Sequence, residues 1–364
     1  MKTIVATSAL IIAAGSSAFA GGLDRSGQGI GALFESGDYA ELSFGLVMPN
    51  VSGVGLTPAF GAGGETGNVA PSYSQIGLSF KTDLSDTTSL AVIFDQPFGA
   101  SVNYADPSYV LTGTSAEMTS SSVTLVGRYK INPSFSVHGG LRTLSASGNV
   151  AINDPLNGPG VDYAATFDAA SGMGYVIGAA FEKPEIAMRV ALTYSSAIDL
   201  SLPTTLTTPA AGAVPAMDAT LPQSVNLDFQ SGVAANTLVF GSIRWAEWTS
   251  TELNPFGFPA NPLLSYDNDT FTYSLGVGRK FSDSFSGSVT LGYEKATGEP
   301  GSNLSPTDGY FSIQVGGAYT LENGMKISGG VRYVKVGDTI TETVSGDFSG
   351  NSAIGVGVKI GYSF

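Results

Sequence analysis

The last twelve residues, AIGVGVKIGYSF (353–364), place an apolar side chain at every second position: Ile354, Val356, Val358, Ile360, Tyr362 and Phe364. Small or polar residues fill the gaps. Strict period-2 alternation gives a strand one apolar face and one wet face. The same pattern recurs along the chain, in AELSFGLVM from 40, SQIGLSF from 74, SLAVIF from 89, SVTLVGRY from 122, FSVHGGLRT from 135, GMGYVIGAAF from 172 and IAMRVALTY from 186. It continues in SVNLDF from 224, TLVFGSIRW from 237, FTYSLGV from 271, FSGSVTLGY from 285, YFSIQVGGAY from 310 and MKISGGVRY from 325. With the terminal segment this makes about fourteen strands of roughly 9 to 11 residues, the length that crosses a bilayer when tilted.

The connections between these segments are of two kinds, and the kinds alternate. TDLSD, INPS, EKPE, GVAAN, SDS and ENG are tight turns. The others, roughly 49–71, 96–120, 145–170, 196–222, 249–269, 295–308 and 337–350, are long and rich in Gly, Pro, Thr and Asn. Alternating short turns and long loops are the topology of an outer-membrane barrel, with periplasmic turns on one rim and external loops on the other. Closure pairs every backbone group without water, which an open sheet in hydrocarbon cannot do. The expectation is therefore an all-β transmembrane antiparallel barrel of about fourteen strands. Tyr129, Tyr194, Trp245, Tyr293, Tyr319 and Phe364 stand near strand ends, where aromatic girdles belong. A secreted β-sandwich or solenoid is the competing fold, and it accounts poorly for so many strands of one amphipathic kind.

Composition agrees with this fold. Charged residues are 13% of the chain and hydrophobic ones 43%, against roughly 25% charged in a soluble domain. There are 48 Gly, 20 Phe and 15 Tyr, which suits strands and turns better than helices. The formal charge of −14 argues against a nucleic-acid partner. The absence of Cys excludes thiolate metal sites and thiol nucleophiles. At the start, Lys2, the apolar run TIVATSALIIAAG and the small-x-small AFA at 18–20 read as a signal peptide cleaved after Ala20. A membrane-anchoring helix is the alternative. Residues 21–38 then precede the first strand, and 39–364 form the barrel.

Four stretches carry a family resemblance: AELSFGLVMPNVSGVG, FDQPFGASVNY, LPQSVNLDFQSGVAANTLVFGSIRWAEWTS and the terminal AIGVGVKIGYSF. The third is the most specific, a Leu-Pro-x-Ser strand followed by a Trp-x-x-Trp strand end. Together they resemble the FadL/TodX family of outer-membrane transporters for hydrophobic compounds, over nearly all of the chain. The resemblance implies a Gram-negative outer-membrane location and passive uptake of long-chain fatty acids or other hydrophobic molecules. These would be captured by external loops and released through a lateral gap at a kink in the third strand, with residues 21–38 as an N-terminal hatch closing the lumen to water. The family's Asn-Pro-Ala hatch motif is missing here, and about 18 residues precede the first strand, so the plug is shorter and its gating detail does not carry over.

The residues themselves suggest sites. Phe98, Tyr104 and Tyr109, with Leu253, Phe256, Phe258, Leu263 and Leu264, are unusually apolar for external loops and could form a landing groove; packing of the loops against one another would also use them. Pro97 has no N–H and Gly99 packs nothing, so Asp95, Pro97, Phe98 and Gly99 are a candidate gate, or merely a strand end. Inward Arg142, Arg189 and Arg244 could hold a carboxylate head group, although a structural ladder of lumenal charges accounts for them better. Asp24, Arg25 and Glu35 are candidates for fastening the hatch. His138 is the only histidine and Ser136 lies near it, but a lumenal polar histidine accounts for it better than a hydrolase site. YDNDT at 266–270 lacks the spacing of a calcium loop, and no cofactor or metal is expected. The expected partners are a hydrophobic ligand, outer-membrane lipid and the barrel-assembly machinery, the last through Phe364, with the barrel acting as a monomer. A general diffusion porin for polar solutes is the alternative function; an adhesin is another.

Overall fold

The structure, a computed structural model, describes residues 23–58, 62–154, 162–208, 211–258, 262–342 and 344–364. The signal peptide lies outside the described residues.

Fourteen antiparallel strands close into one barrel. They are β1 (Tyr39–Asn50), β2 (Tyr73–Asp83), β3 in two pieces (Thr88–Asp95 and Gly99–Asn103), β4 (Ser115–Lys130), β5 (Phe135–Ile152) and β6 (Tyr163–Lys183). Then come β7 in two pieces (Met188–Ser195 and Ile198–Thr208), β8 in two pieces (Gly212–Leu221 and Ser224–Ala234), β9 (Thr237–Ala246) and β10 (Thr270–Lys280). The last four are β11 (Phe285–Glu294), β12 (Tyr310–Thr320), β13 (Lys326–Val336) and β14 (Ser352–Ser363). The terminal segment supplies the seam: β14 pairs with β1 from Asn50↔Ser352 to Tyr39↔Ser363. Closure leaves no unpaired edge, the condition for a sheet in lipid.

The alternating apolar side chains point outward through the lower part of the wall. Phe44, Leu125, Leu141, Ile177, Leu275 and Val356 are all exposed. Two aromatic belts bound this band. Phe135–Phe181, Phe281–Phe285 and Tyr362–Phe364 pack at ring-centroid distances of 4.9, 5.8 and 5.8 Å near the short turns. Tyr175–Tyr194 and Tyr273–Tyr293, at 5.9 and 6.4 Å, pack toward the long loops. Tyr and Phe rings suit the two levels where hydrocarbon gives way to head groups.

Two of the expected long loops, 145–170 and 196–222, are largely strand, and 96–120 is partly so. β4, β5 and β6 run 16, 18 and 21 residues, where about 10 would cross a bilayer. With the upper pieces of β7 and β8 they continue the wall beyond the long-loop belt, through 115–120 and most of 145–170 and 196–222. Their inward positions are apolar: Leu144, Ala146, Val150, Tyr163, Ala165, Phe167, Ile198, Leu200, Leu202, Leu206, Met217, Ala219 and Leu221 are buried together. Asp199, Ser201 and Asp218 face out. The alternation in IDLSLPTTLTT is thus real strand alternation, with its apolar face on the opposite side of the wall. In β6 the parity change falls at a bulge, where Ala146 and Gly148 of β5 face Ala170 and Phe167.

The wall breaks at three places. β7 is interrupted at Ser196 and Ala197, and β8 at Pro222 and Gln223; Pro222 has no N–H for the ladder. Polar side chains bridge these breaks: Ser196 Oγ accepts from Tyr175 N–H at 3.0 Å and Tyr194 Oη donates to Gln223 Oε1 at 2.6 Å. The third break, in β3, lies beside the N-terminal segment.

Candidate functional site

Residues 23–34 lie inside the barrel. Leu23 is buried among the apolar side chains of the upper wall. Gly31–Phe34 form a short 3-10 turn lower down, with Ile30 and Leu33 packed on Ala91, Ile93, Val126 and Val176. Asp24 forms an ion pair with the buried Arg244, Nε to Oδ2 at 2.5 Å. Arg244 also donates to Ser224, Asn226 and Gln28, and Asn226 donates to the carbonyl of Gly27 at 2.8 Å. Phe34 is flanked by two guanidinium groups, Arg189 at 4.6 Å and Arg128 at 4.8 Å from its ring. The edge of His138 meets it at 5.8 Å. A cation over an aromatic face in a water-poor lumen contributes on the order of 1–2 kcal/mol.

The break in β3 is completed by this segment. β2 and β3 pair only from Asp83↔Ser89 to Leu78↔Phe94. The second piece of β3 pairs with β4 from Gly99↔Thr119 onward and leaves β2. Between the pieces the chain turns inward. Pro97 O accepts from Arg25 N–H at 2.7 Å, and Gly99 N–H donates to Leu23 O at 2.8 Å. Ser120 Oγ accepts from Phe98 N–H at 2.9 Å and donates to its carbonyl at 2.6 Å. Asp95 accepts from Ser26 Oγ at 2.6 Å and from Ser122. A side chain at Gly99 would not fit as the residues stand: a Cβ would fall 2.6 Å from Arg25 Cζ.

The wall therefore lacks ladder bonds between β3 and the upper part of β2, from Tyr73 to Gly77. Gln96 fills part of the gap. Its Oε1 accepts from Ile76 N–H at 2.9 Å, and its carbonyl accepts from Gln75 Nε2 at 3.4 Å. Behind it lies a lumenal cavity of about 340 Å³, lined among others by Gly77, Asp95, Gln96, Asp228, Arg244 and Lys359.

The sequence-derived residues divide into three groups. Phe98, Leu253, Phe258, Leu263 and Leu264 come together in the upper apolar cluster, with Phe258 edge-on to Tyr163 at 5.2 Å. Phe256 is on the same loop but exposed. Tyr104 and Tyr109 are elsewhere: they stack on each other at 5.5 Å in a second cluster with Val51, Val69, Val336, Val344 and Phe348. That cluster clamps the loops after β1, β3 and β13, and Tyr104 Oη donates to Asn303 O at 2.7 Å. Burial pushes the Tyr104 phenol well above its ordinary pKa. Both rings are buried in this loop packing, in a cluster separate from the one that holds Phe98.

The arginines are mostly committed to the protein itself. Arg244 holds Asp24, and Arg189 covers Phe34 and donates to Gln230. Arg142, buried on β5 directly below Leu144, donates to the hydroxyls of Thr124 and Ser195 at 2.8 and 3.2 Å. Arg25 stacks on the Tyr73 ring at 4.0 Å. Glu35 lines the lumenal cavity. His138 Nε2 meets Thr193 Oγ1 at 3.0 Å, while Ser136 Oγ accepts from Arg128, so the expected polar role of the histidine fits and no Ser–His pair forms. Among the described residues no group of three carboxylate or His side chains is placed to hold a metal ion. Asp269, from YDNDT, accepts from Trp245 Nε1 and Thr249 instead.

Three residues went unforeseen as parts of this site. Gln96 stands in the quoted FDQPFGASVNY, but an amide beside a proline gives no hint that it will bridge two strands. Ser120 lies in a serine run with no pattern of its own. Trp248 looks like a girdle residue in WAEW, yet it is 0% exposed and meets the Phe98 ring at 5.9 Å.

No family model matches the sequence, and no curated protein does. Solved structures match almost end to end. A Pseudomonas aeruginosa FadL homologue aligns over 92% of this chain and 92% of its own with a TM-score of 0.74, at 14% identity. The chain has the FadL/TodX barrel fold. A TodX monoaromatic hydrocarbon channel mutant aligns over 92% and 95%, TM-score 0.68, 14% identity. The Ralstonia pickettii toluene transporter TbuX aligns over 91% and 90%, TM-score 0.61, 15% identity. In this FadL/TodX-type barrel the interrupted third strand, the buried N-terminal segment and the upper apolar cluster meet at Leu23 and Phe98.

Proposed function

We propose that this protein carries hydrophobic small molecules, long-chain fatty acids or comparable compounds, passively across the outer membrane. One observation carries the reading. The wall above the outer aromatic belt turns its apolar face inward, and the buried apolar cluster it forms ends on Leu23 and Phe98, next to the gap between β2 and β3. A polar solute gains nothing from such an interior, whereas a hydrophobic one gains about 25 cal/mol per Å² of apolar surface buried. The long-loop rim would be the cell surface. Exposed Phe256 and its loop would be the first contact, and residues 23–38 the hatch that keeps water and ions out.

Release would run sideways, through the β2–β3 gap. Gln96 and the Asp95–Gly99 turn are the gate, held by the backbone bonds of Leu23 and Arg25 and by Ser26 on Asp95. A hydrophobic molecule leaving there meets lipid at once and never the aqueous periplasm. No energy source is required. Asp24 and Arg25 fasten the hatch, with Glu35 on its lower end. Phe364, exposed on the short-turn rim, would be the signal read by the barrel-assembly machinery, and a closed barrel of this size works as a monomer.

The test is conductance in planar bilayers beside uptake of a labelled long-chain fatty acid and a labelled alkane into cells expressing the protein. Small conductance with saturable uptake of either solute is expected, and Gly99→Phe should abolish uptake in folded barrel. Large steady conductance without such uptake would establish the porin reading instead.

A further inference from the structure

The break in β7 opens a second seam in the wall, between β6 and β7. The two strands pair from Lys183↔Met188 to Val176↔Ser195, and again only from Phe167↔Thr204. One backbone bond extends the lower ladder, from Ser196 N–H to Tyr175 O at 2.9 Å. Beyond it the upper piece of β7 steps inward. Gly172 and Gly174 of β6 stand opposite the inward Leu144 and Arg142. A Cβ on Gly174 would fall 2.7 Å from Ser196 Oγ and 2.8 Å from Ile198 Cγ1, so the missing side chain is what lets the stepped chain lie against the inner side of β6. The step leaves a recess of about 580 Å³ on the outer face, at the level of the Tyr175–Tyr194 pair. Its apolar end is lined by the exposed Leu141, Met173 and Tyr175. Gln223, Glu247 and Ser250 line the end toward the long loops.

We propose that this recess seats a membrane lipid whose head group presents a primary ammonium, with an acyl chain laid over Leu141 and Met173. The polar end offers acceptors and no cation. No Lys, Arg or His lines the recess, so nothing there would hold a phosphate or carboxylate. Glu247 is half-buried, and among the described residues it pairs with no cation. One of its oxygens accepts from Gln223 Nε2 at 2.8 Å, and Gln223 is itself fixed by the Tyr194 hydroxyl at 2.6 Å. The belt thus holds the carboxylate in place. Met173 adds a second acceptor. By strand parity its carbonyl points to the same side as that of Tyr175, where β7 has left the ladder. An ammonium carries three donors, and its bond to a carboxylate is roughly twice as strong as a neutral one. At belt height Glu247 meets the head-group layer while Leu141 and Met173 meet hydrocarbon, so one amphiphile spans both. The recess lies away from the β2–β3 gap, and the assignment does not depend on what the barrel carries.

The experiment uses the full-length barrel in an uncharged detergent and counts bound probes by native mass spectrometry. The probes are dodecylamine, dodecan-1-ol and dodecanoate, alike in chain and different in head. The formal charge of −14 attracts any amine, so the quantity read is the difference made by Glu247→Gln, which keeps an oxygen for Gln223. In the unaltered barrel dodecylamine should bind about tenfold tighter than dodecan-1-ol, with dodecanoate weakest. Glu247→Gln should bring dodecylamine down to the affinity of the alcohol and leave the alcohol alone. Met173→Trp enlarges a side chain that is 65% exposed. It should fill the recess and remove the tight amine binding, while heat-modifiable gel mobility shows the barrel folded. An amine-to-alcohol ratio that Glu247→Gln leaves unchanged overturns the ammonium head group. Tight amine binding that survives Met173→Trp places the lipid elsewhere and overturns the site. Uptake of a labelled fatty acid should be the same in Met173→Trp as in the unaltered protein; its loss would make the recess an entrance for cargo and overturn its assignment as a lipid seat.

Discussion

The lower and upper halves of the wall are built from the same strands and the same alternation, yet they are inside out relative to each other. On β4, Leu125 faces outward and Arg128 inward below, while Glu117 faces outward and Met118 inward above. On β5 the inward row runs Ser136, His138 and Arg142, then Leu144, Ala146 and Val150. The strand does not change direction there; the chemistry of the inward row does. Below that level the outer face meets hydrocarbon and the lumen is filled with charges and hydroxyls. Above it the outer face meets water, and the lumen is an apolar core. A period-2 pattern states that a strand has two unlike faces. Which one is inside depends on the solvent at that height.

The largest test of this contrast lies at the seam between the halves. Asp24→Asn leaves Arg244 buried beside a neutral partner, and breaking a buried pair costs about 3–5 kcal/mol. The hatch should release while the barrel stays closed, so that conductance rises sharply in planar bilayers and the heat-shifted gel mobility of the folded barrel persists. An unchanged conductance would mean that the packing of Leu33 and Phe34 holds the segment without the ion pair.

Next in size is one substitution made on two faces. Leu202→Ala in the upper core should cost about 2–5 kcal/mol, because a packed core cannot close over the space. Leu125→Ala should cost much less, since lipid chains flow into the space it leaves. Protease sensitivity of the upper strands reads the first, and denaturant unfolding in micelles the second. Equal costs would mean that the upper cluster is loosely filled.

A third comparison keeps one strand and one face and changes only the height. Leu125→Arg, facing hydrocarbon, should destabilise by about 2–4 kcal/mol. Thr119→Arg, outward on the same strand but above the belt, should stay within about 0.5 kcal/mol. A comparable penalty at both positions would raise the membrane boundary past residue 119 and move the upper apolar cluster into the bilayer.

Much of the fold was legible because it depends on local periodicity. Every one of the fourteen alternating segments is a barrel strand, and Tyr194, Trp245, Tyr293 and Phe364 stand at strand ends as their spacing implies. The extensions through 115–120, 145–170 and 196–222 were obscured by composition. Thr, Pro, Gly and Asn suggest loops, although Ile198, Leu200, Leu202 and Leu206 keep strict alternation through IDLSLPTTLTT. The kink at Pro97 was readable, since proline cannot donate to a ladder. Its consequence was not: the free backbone groups are met by Leu23, Arg25, Gln96 and Ser120, which lie as much as about 75 residues away along the chain. Tyr104 and Tyr109 show the opposite case. Aromatic residues in a loop look like a binding surface whether they face a ligand or each other.

By itself the sequence determined that this chain is a closed barrel, how many strands it has and where its aromatic belts fall, because alternation and turn length act between neighbours. Only the tertiary structure decided which face lines the lumen above the belt, which arginines are already paired, and that the upper piece of β7 steps inward to leave a recess beside Glu247. Those outcomes follow from closure. When a sheet curls into a barrel, residues distant along the chain share one dry interior, and the partners each polar group finds there depend on what crosses the lumen.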